Sequence, residues 1–460
     1  MGIVAGFLLP HPPVMVPDVG RGREAEVAAT TNSMRRIAAQ IAGLEPETIV
    51  IFSPHSAMYA DYIHISPGEK ASGSLKNFGS SALFRVAYDD DFTSALKDRC
   101  AEEGFPAGTL GERDKELDHG TLVPLHFINE QNSGYRLIRV SASGLSREEH
   151  YRFGMLLAQT AEELGRKTVV IASGDLSHRL TRDGPYGFAP EGQVLDAALT
   201  SIMRTGDFKK LFELDEELTL KGAECGFRPF LMLAGTLDAK AVNSRLLSYE
   251  GPFGVGYAVA SFIPGPPAPH RNFLEKRMQK NMDEIQNLRA AESSYVRLAR
   301  ESLEAYVKTG KLPPLSGDSL PEELRNQKAG TFVSIKKRGQ LRGCIGTTAP
   351  AQINLAEEIR QNAISSGTRD TRFNPIEPHE LDELVYSVDI LLPAQPAAAD
   401  MLDPKRYGVI VTSGHKRGLL LPNLDGVDTA EQQLSIALQK AGISGGQAYD
   451  IERFEVVRHH

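Results

Sequence analysis

Apolar and polar positions alternate on two different periods along this chain, and the change of period marks its parts. Over roughly the first 263 residues, short apolar runs are separated by stretches of helical periodicity, the pattern of βα units around a mostly parallel sheet. Residues 3–9 are apolar throughout, as expected of a strand buried on both faces. Residues 24–42 then read as a helix and 48–52 as a second strand. Further strands are expected at 135–140, 168–172 and 257–263, with helices at 193–204 and 229–237 between them. After residue 285 the pattern is α+β. A helix at 293–307 precedes two strands within 331–346, joined through Lys337-Arg338-Gly339. A helix at 353–365, a strand at 384–391, a second turn-linked pair (407–411 and 418–421), a helix at 430–441 and a strand at 451–457 complete it.

The clearest break lies at Pro264-Gly265-Pro266-Pro267-Ala268-Pro269, because proline lacks the N–H and fixes φ. This predicts a first domain at 1–263, a Pro-rich linker with a connector helix at 264–284, and a smaller domain at 285–460. The first residues, apolar before Pro10, suggest a signal peptide at first sight. They lack a basic leading region and a small-residue cleavage site, so a buried first strand is the better reading.

Composition narrows the function classes. The 460 residues are 41% hydrophobic and 24% charged, which excludes a disordered or disulfide-scaffold chain. With 51 Lys+Arg against 59 Asp+Glu, the net charge of −8 gives no reason to expect a nucleic-acid partner. The apolar runs are shorter than the ~20 residues that span a bilayer, so no membrane partner is expected. Three well-separated cysteines, Cys100, Cys225 and Cys344, fit a reducing, cytoplasmic compartment.

Candidate chemistry gathers at the strand exits. The first strand runs into Pro10-His11-Pro12-Pro13, the second into Ser53-Pro54-His55-Ser56, and the strand at 168–172 into Ser173-Gly174-Asp175-Leu176-Ser177-His178. Ligands of open α/β sheets bind beyond the carboxyl ends of the strands. Prolines stiffen the first two turns and would hold their imidazoles in fixed directions, as a metal site requires. One loop histidine is ordinarily only a polar surface residue; two at the ends of two apolar strands, each pinned by proline, point toward a site. Asp118-His119-Gly120 follows a polar loop beginning at Gly111, and Glu224-Cys225 precedes an apolar helix, where Glu224 also suits a capping carboxylate.

In this order the segments resemble the class III extradiol ring-cleavage dioxygenase B-subunit family and the related Memo-like proteins, over roughly residues 3–263. The resemblance implies His11, His55 and Glu224 as ligands of a non-haem Fe(II), His178 as acid/base and His119 as a second active-site histidine. Asp175, three residues before His178, is a candidate for orienting it. It further implies a small aromatic diol and O2 as substrates. Cys225-Gly226-Phe227-Arg228-Pro229 resembles instead the cysteine-containing segment of Memo-like proteins. Two histidines and one carboxylate suit Fe(II), whereas Cys225 as the ligand would turn the preference to zinc or copper. A metal-binding protein without the dioxygenase reaction is therefore the alternative.

A second resemblance, to the AMMECR1 domain, rests on Leu341-Arg342-Gly343-Cys344-Ile345-Gly346, Arg369-Asp370-Thr371-Arg372-Phe373-Asn374-Pro375 and the run from Gly414 to Pro422. It covers about residues 285–460. The two families occur together with a radical-SAM protein in the AmmeMemoRadiSam set, which makes such a protein the implied partner; self-association is left open. Cys344 reads first as a small buried hydrophobe and second as a thiolate beside Arg342. Arg342, Arg369, Arg372, His415, Lys416 and Arg417 are candidates for an anion-binding patch.

Overall fold

The computed structural model describes the chain except residues 112–115, 316–319, 425 and 445. Most of the polar run that starts at Gly111 thus lies outside the described residues. The chain divides into two compact units, Met1–Arg277 and Met278–His460. The division falls inside one helix, Phe273–Ala291.

In the first unit, six strands form one sheet: β1 (Gly2–Leu9), β2 (Thr48–Ser53), β3 (Arg136–Ser141), β4 (Lys167–Ser173), β5 (Lys240–Glu250) and β6 (Tyr257–Pro267). Their order is β3-β2-β4-β1-β6-β5. The first four are mutually parallel, while β6 runs antiparallel to both β1 and β5. All six residues of β2 are buried, because both faces of the sheet are covered. Val50 and Phe52 point into one core with Phe153, Phe230 and Leu195; Ile49 and Ile51 point into the other with Met34, Ile37 and Leu122. Removing each such side chain from water contributes roughly 1.5–3 kcal/mol, set against the entropy of ordering the chain.

The Pro-rich stretch is not a linker. It is the tail of β6, where Pro264 faces Val242 and Pro267 faces Lys240. β1 pairs with β6 only as far as Phe262, so the prolines sit where one side of the strand needs no donor. Strand β5, with its mixture of exposed and half-buried positions at the sheet edge, carries no clean alternation and was not expected from the pattern.

In the second unit, β7 (Thr331–Lys337), β8 (Gln340–Gly346), β9 (Leu384–Leu391), β10 (Gln395–Pro396), β11 (Gly408–Ser413), β12 (Lys416–Leu420), β13 (Asp450–Phe454) and β14 (Val456–His459) form two sheets. Their orders are β8-β7-β9-β14 and β10-β13-β11-β12. Arg338 and Gly339 turn the first hairpin at φ 53° and 81°, the left-handed pair that a two-residue hairpin demands. The single strand expected at 451–457 is two strands in different sheets, because the chain changes partner at Glu455. Helices Ser294–Thr309 and Leu355–Thr368 cover the first sheet, burying Val333, Ile335 and Val388.

Among the described residues no helix is long and apolar enough to cross a membrane. All three cysteines are free.

Candidate metal centre

β2, β4 and β1 are neighbours in that order, so their carboxyl ends lie side by side. That adjacency delivers His11, His55 and the Asp175–His178 turn to one rim. His11 lies at its floor, 1% exposed, and His55 at its solvent side. The two Nε2 atoms are 3.0 Å apart, and the Cys225 thiol stands 3.6 Å from His11 Nε2. Within 4.8 Å of one another, His11, His55 and Cys225 each offer a ligand atom; Asp175, His178 and Cys225 form a second such group.

Hydrogen bonds settle which ring nitrogens are available. Ser173 donates its one hydroxyl proton to the Gly120 carbonyl, so its oxygen accepts from His11 Nδ1, 2.9 Å away. His11 is then the Nδ1–H tautomer, and its Nε2 lone pair points at His55 and Cys225. His178 is fixed in the same sense by donating Nδ1–H to the Ala223 carbonyl. Ala223 holds φ 51°, an uncommon conformation for a residue with a Cβ, at the end of helix Glu216–Gly222. That geometry turns its carbonyl to His178.

Burial, then the neighbouring His55, His119 and His178, holds His11 well below the usual imidazole range. Burial and His119 lower His55 to about 4. His119 and His178 are lowered as well, again chiefly by burial. The imidazoles are therefore neutral near pH 7, the state in which they ligate. Burial pushes Asp175 up to about 7, although the backbone N–H of His11 donates to its Oδ1 at 2.9 Å.

The expected carboxylate ligand is not where the resemblance puts it. Glu224 belongs to neither ligand group among the described residues. Its Oε2 accepts from the backbone N–H of Phe227, at the start of helix Phe227–Thr236, with Arg147 and Arg228 nearby. Burial raises its carboxyl to about 7. Cys225 takes the inner position because the exit of β4 and the 224–226 turn touch backbone to backbone. A Cβ on Gly174 would lie 2.1 Å from Gly226 Cα, and the Cys225 and Gly226 amides both donate to the Asp175 carbonyl. Asp175 also brings its Oδ2 to 3.8 Å from His11 Nε2.

The donor set fits a divalent transition ion. Metal bonds of about 2.1 Å to nitrogen and 2.3 Å to sulfur put donor atoms roughly 3–3.6 Å apart on one coordination shell, the range in which His11 Nε2 stands from both His55 Nε2 and Cys225 Sγ. His119 lies on the open side, its ring 4.2 Å from that of His55 and 5.3 Å from that of His11. Phe78 packs at 5.4 Å from His119 and Tyr186 at 5.2 Å from His178.

In the second unit Cys344 is half-buried, its sulfur accepting from Ser334 Oγ at 3.2 Å. Arg342 is clamped by Glu380 and Arg372 by Asp370, so neither is a free anion donor. His415, Lys416 and Arg417 lie at the β11–β12 hairpin, in the other sheet.

Residues 5–260 match the family model described as the catalytic LigB subunit of aromatic ring-opening dioxygenase, and residues 296–459 match AMMECR1. A protein of Clostridium acetobutylicum is 43% identical over 468 residues, spanning 100% of this chain and 99% of that protein. A Thermotoga maritima protein is 51% identical over 171 residues, 36% of this chain and 98% of its own length. Among solved structures, an uncharacterized protein from Pyrococcus horikoshii aligns with a TM-score of 0.33 and 33% identity, over 36% of this chain and 88% of its own. The chain therefore belongs to the LigB family of aromatic ring-opening dioxygenase subunits, here joined to an AMMECR1 domain.

Proposed function

We propose that the first unit is a metal-dependent centre in which His11 Nε2, His55 Nε2 and Cys225 Sγ hold one divalent ion and a small oxygen-bearing ligand binds on the open side. One observation carries this: three donor atoms converge from three separate loops, with the His11 tautomer set by Ser173 so that its lone pair faces the other two. The bound ion would supply Lewis acidity toward a ligand oxygen. His178, its Nδ1–H engaged by Ala223, offers Nε2 to take a proton from that ligand and return it. Asp175 supports the loop of His178 through its own contacts with His11 and Cys225. His119 stands beside His55, where it can donate a hydrogen bond to the ligand.

A thiolate among the donors favours zinc or copper over Fe(II). The ring-opening reading, with Fe(II), a catechol-type diol and O2, is supported by the family and by Asp175, whose Oδ2 offers the carboxylate that Glu224 does not. The two are separated by elemental analysis of the purified protein, followed by anaerobic Fe(II) reconstitution and oxygen uptake on a catechol panel. Uptake with iron supports ring opening. Full occupancy by zinc or copper, with no uptake after iron loading, rules that reaction out and leaves the thiolate centre.

A further inference from the structure

Strand β3 holds a residue that does not belong in an apolar strand. Arg139 lies between Ile138 and Val140 with its side chain fully buried. Burying a guanidinium is costly unless its donors are used, and here they are. Nε donates to Ser66 Oγ at 2.8 Å, and one terminal nitrogen donates to the Glu116 carbonyl at 2.8 Å and to Asp118 Oδ2 at 3.4 Å. Asp118 in turn is the N-cap of helix His119–Asn129, accepting from the Thr121 amide and hydroxyl. Its Oδ1 also takes the Ser53 hydroxyl proton, and Ser53 Oγ accepts from the His55 amide at 3.3 Å.

The segment 118–120 thus reaches His11, His55 and His119 alike. Asp118 touches the His55 loop through Ser53, His119 is its middle residue, and the Gly120 carbonyl fixes Ser173, which fixes His11. No Cβ fits at Gly120: it would lie 2.6 Å from Ser53 Oγ and 2.9 Å from Asp118 Oδ1. We infer that Arg139 is a positioning residue for the metal centre, acting through Asp118 and Ser53 to set the mutual angle of His55, His119 and His11. This rests on the metal-centre reading above. Arg139 acts on the centre at one remove; its work is to hold Asp118 in place where three loops meet.

Deleting the guanidinium outright would leave a largely enclosed carboxylate without its cation, so the test uses Arg139→Lys and Ser53→Ala in the full chain. The probe is Co(II), whose ligand-field bands report donor geometry and whose charge-transfer band reports the Cys225 thiolate. Both variants are expected to keep the wild-type far-UV circular dichroism, to bind Co(II) on the order of 10–100-fold more weakly, and to share one shift of the ligand-field bands. The charge-transfer band should persist. If Arg139→Lys does not fold, Ser53→Ala decides by itself. Wild-type affinity and bands in the folded variants, with binding lost in His11→Ala, overturn the role of Arg139 and leave the centre standing. Wild-type Co(II) binding in His11→Ala overturns the centre itself.

Discussion

Glu224 and Cys225 are adjacent in the chain and do opposite jobs. The carboxylate caps a helix, and the thiol faces His11 at 3.6 Å. Cys225→Ser should therefore weaken zinc binding by more than the roughly 10–100-fold typical of residues behind a ligand, read by competition with a chromophoric chelator. Glu224→Gln should bind zinc as the wild type does and change stability by no more than about 1–2 kcal/mol, because an amide oxygen still accepts from Phe227. The reverse pattern would restore Glu224 as the ligand. Both residues stand out in the sequence, and the resemblance together with the two-histidine, one-carboxylate pattern favours Glu224. Which of the two faces His11 follows from the left-handed turn at Ala223 and the contact of Gly174 with Gly226. Arg139 was passed over for a related reason. A charged residue in an apolar run reads as an exception, and only acceptors brought in from other segments, Ser66, Glu116 and Asp118, explain it.

Among elements, the close approach of the β4 exit to the 224–226 turn is the most exacting contact of the centre. Gly174→Ala would drive a methyl into Gly226 Cα. The expected outcome is a loss of about 1–3 kcal/mol, typical of overpacking, seen in the urea midpoint. Metal affinity should fall with it, since Cys225 would be pushed from His11. In the second unit, helical residues Pro378–Glu383 present Glu380 to strands β7 and β8. Burial alone would raise its carboxyl, but Arg342, the Glu377 amide and Lys337 together hold it down at about 2. A carboxylate whose folded value is depressed stabilises the fold fully above its unfolded value of about 4.5, and that stability is lost as pH falls toward 2. Glu380→Gln should flatten the stability profile of this unit across that window and lower its stability near pH 7. An unchanged acid limb in chemical denaturation at pH 5, 4 and 3 would rule this out. The hairpins and buried strands that frame these contacts were visible in the pattern of residues, because turn chemistry and apolar runs are local. The prolines of β6 were not, since whether a strand edge lacks a partner is decided by another strand.

At the scale of the molecule, two compact units and two family matches imply two cooperative structures, for which one unfolding free energy is not defined. Calorimetry should show two transitions. Zinc at about 100 times its Kd should stabilise the first unit by about 2.7 kcal/mol and leave the second where it was. Gly174→Ala should move the same transition that zinc moves, and Glu380→Gln the other. Movement of both by zinc would mean that the metal is held elsewhere or by both units.

The buried parallel strands, the mixed architecture and the histidines at strand exits follow from the amino-acid sequence alone. Periodicity, turn residues and the direction of a parallel strand are properties of neighbouring residues. Which side chains stand beside the histidines, which proton His11 and His178 carry and which carboxylate meets the buried Arg139 were decided only by tertiary structure. Each depends on atoms brought within about 3–4 Å from positions 21 to 214 apart, and no local pattern encodes such a distance.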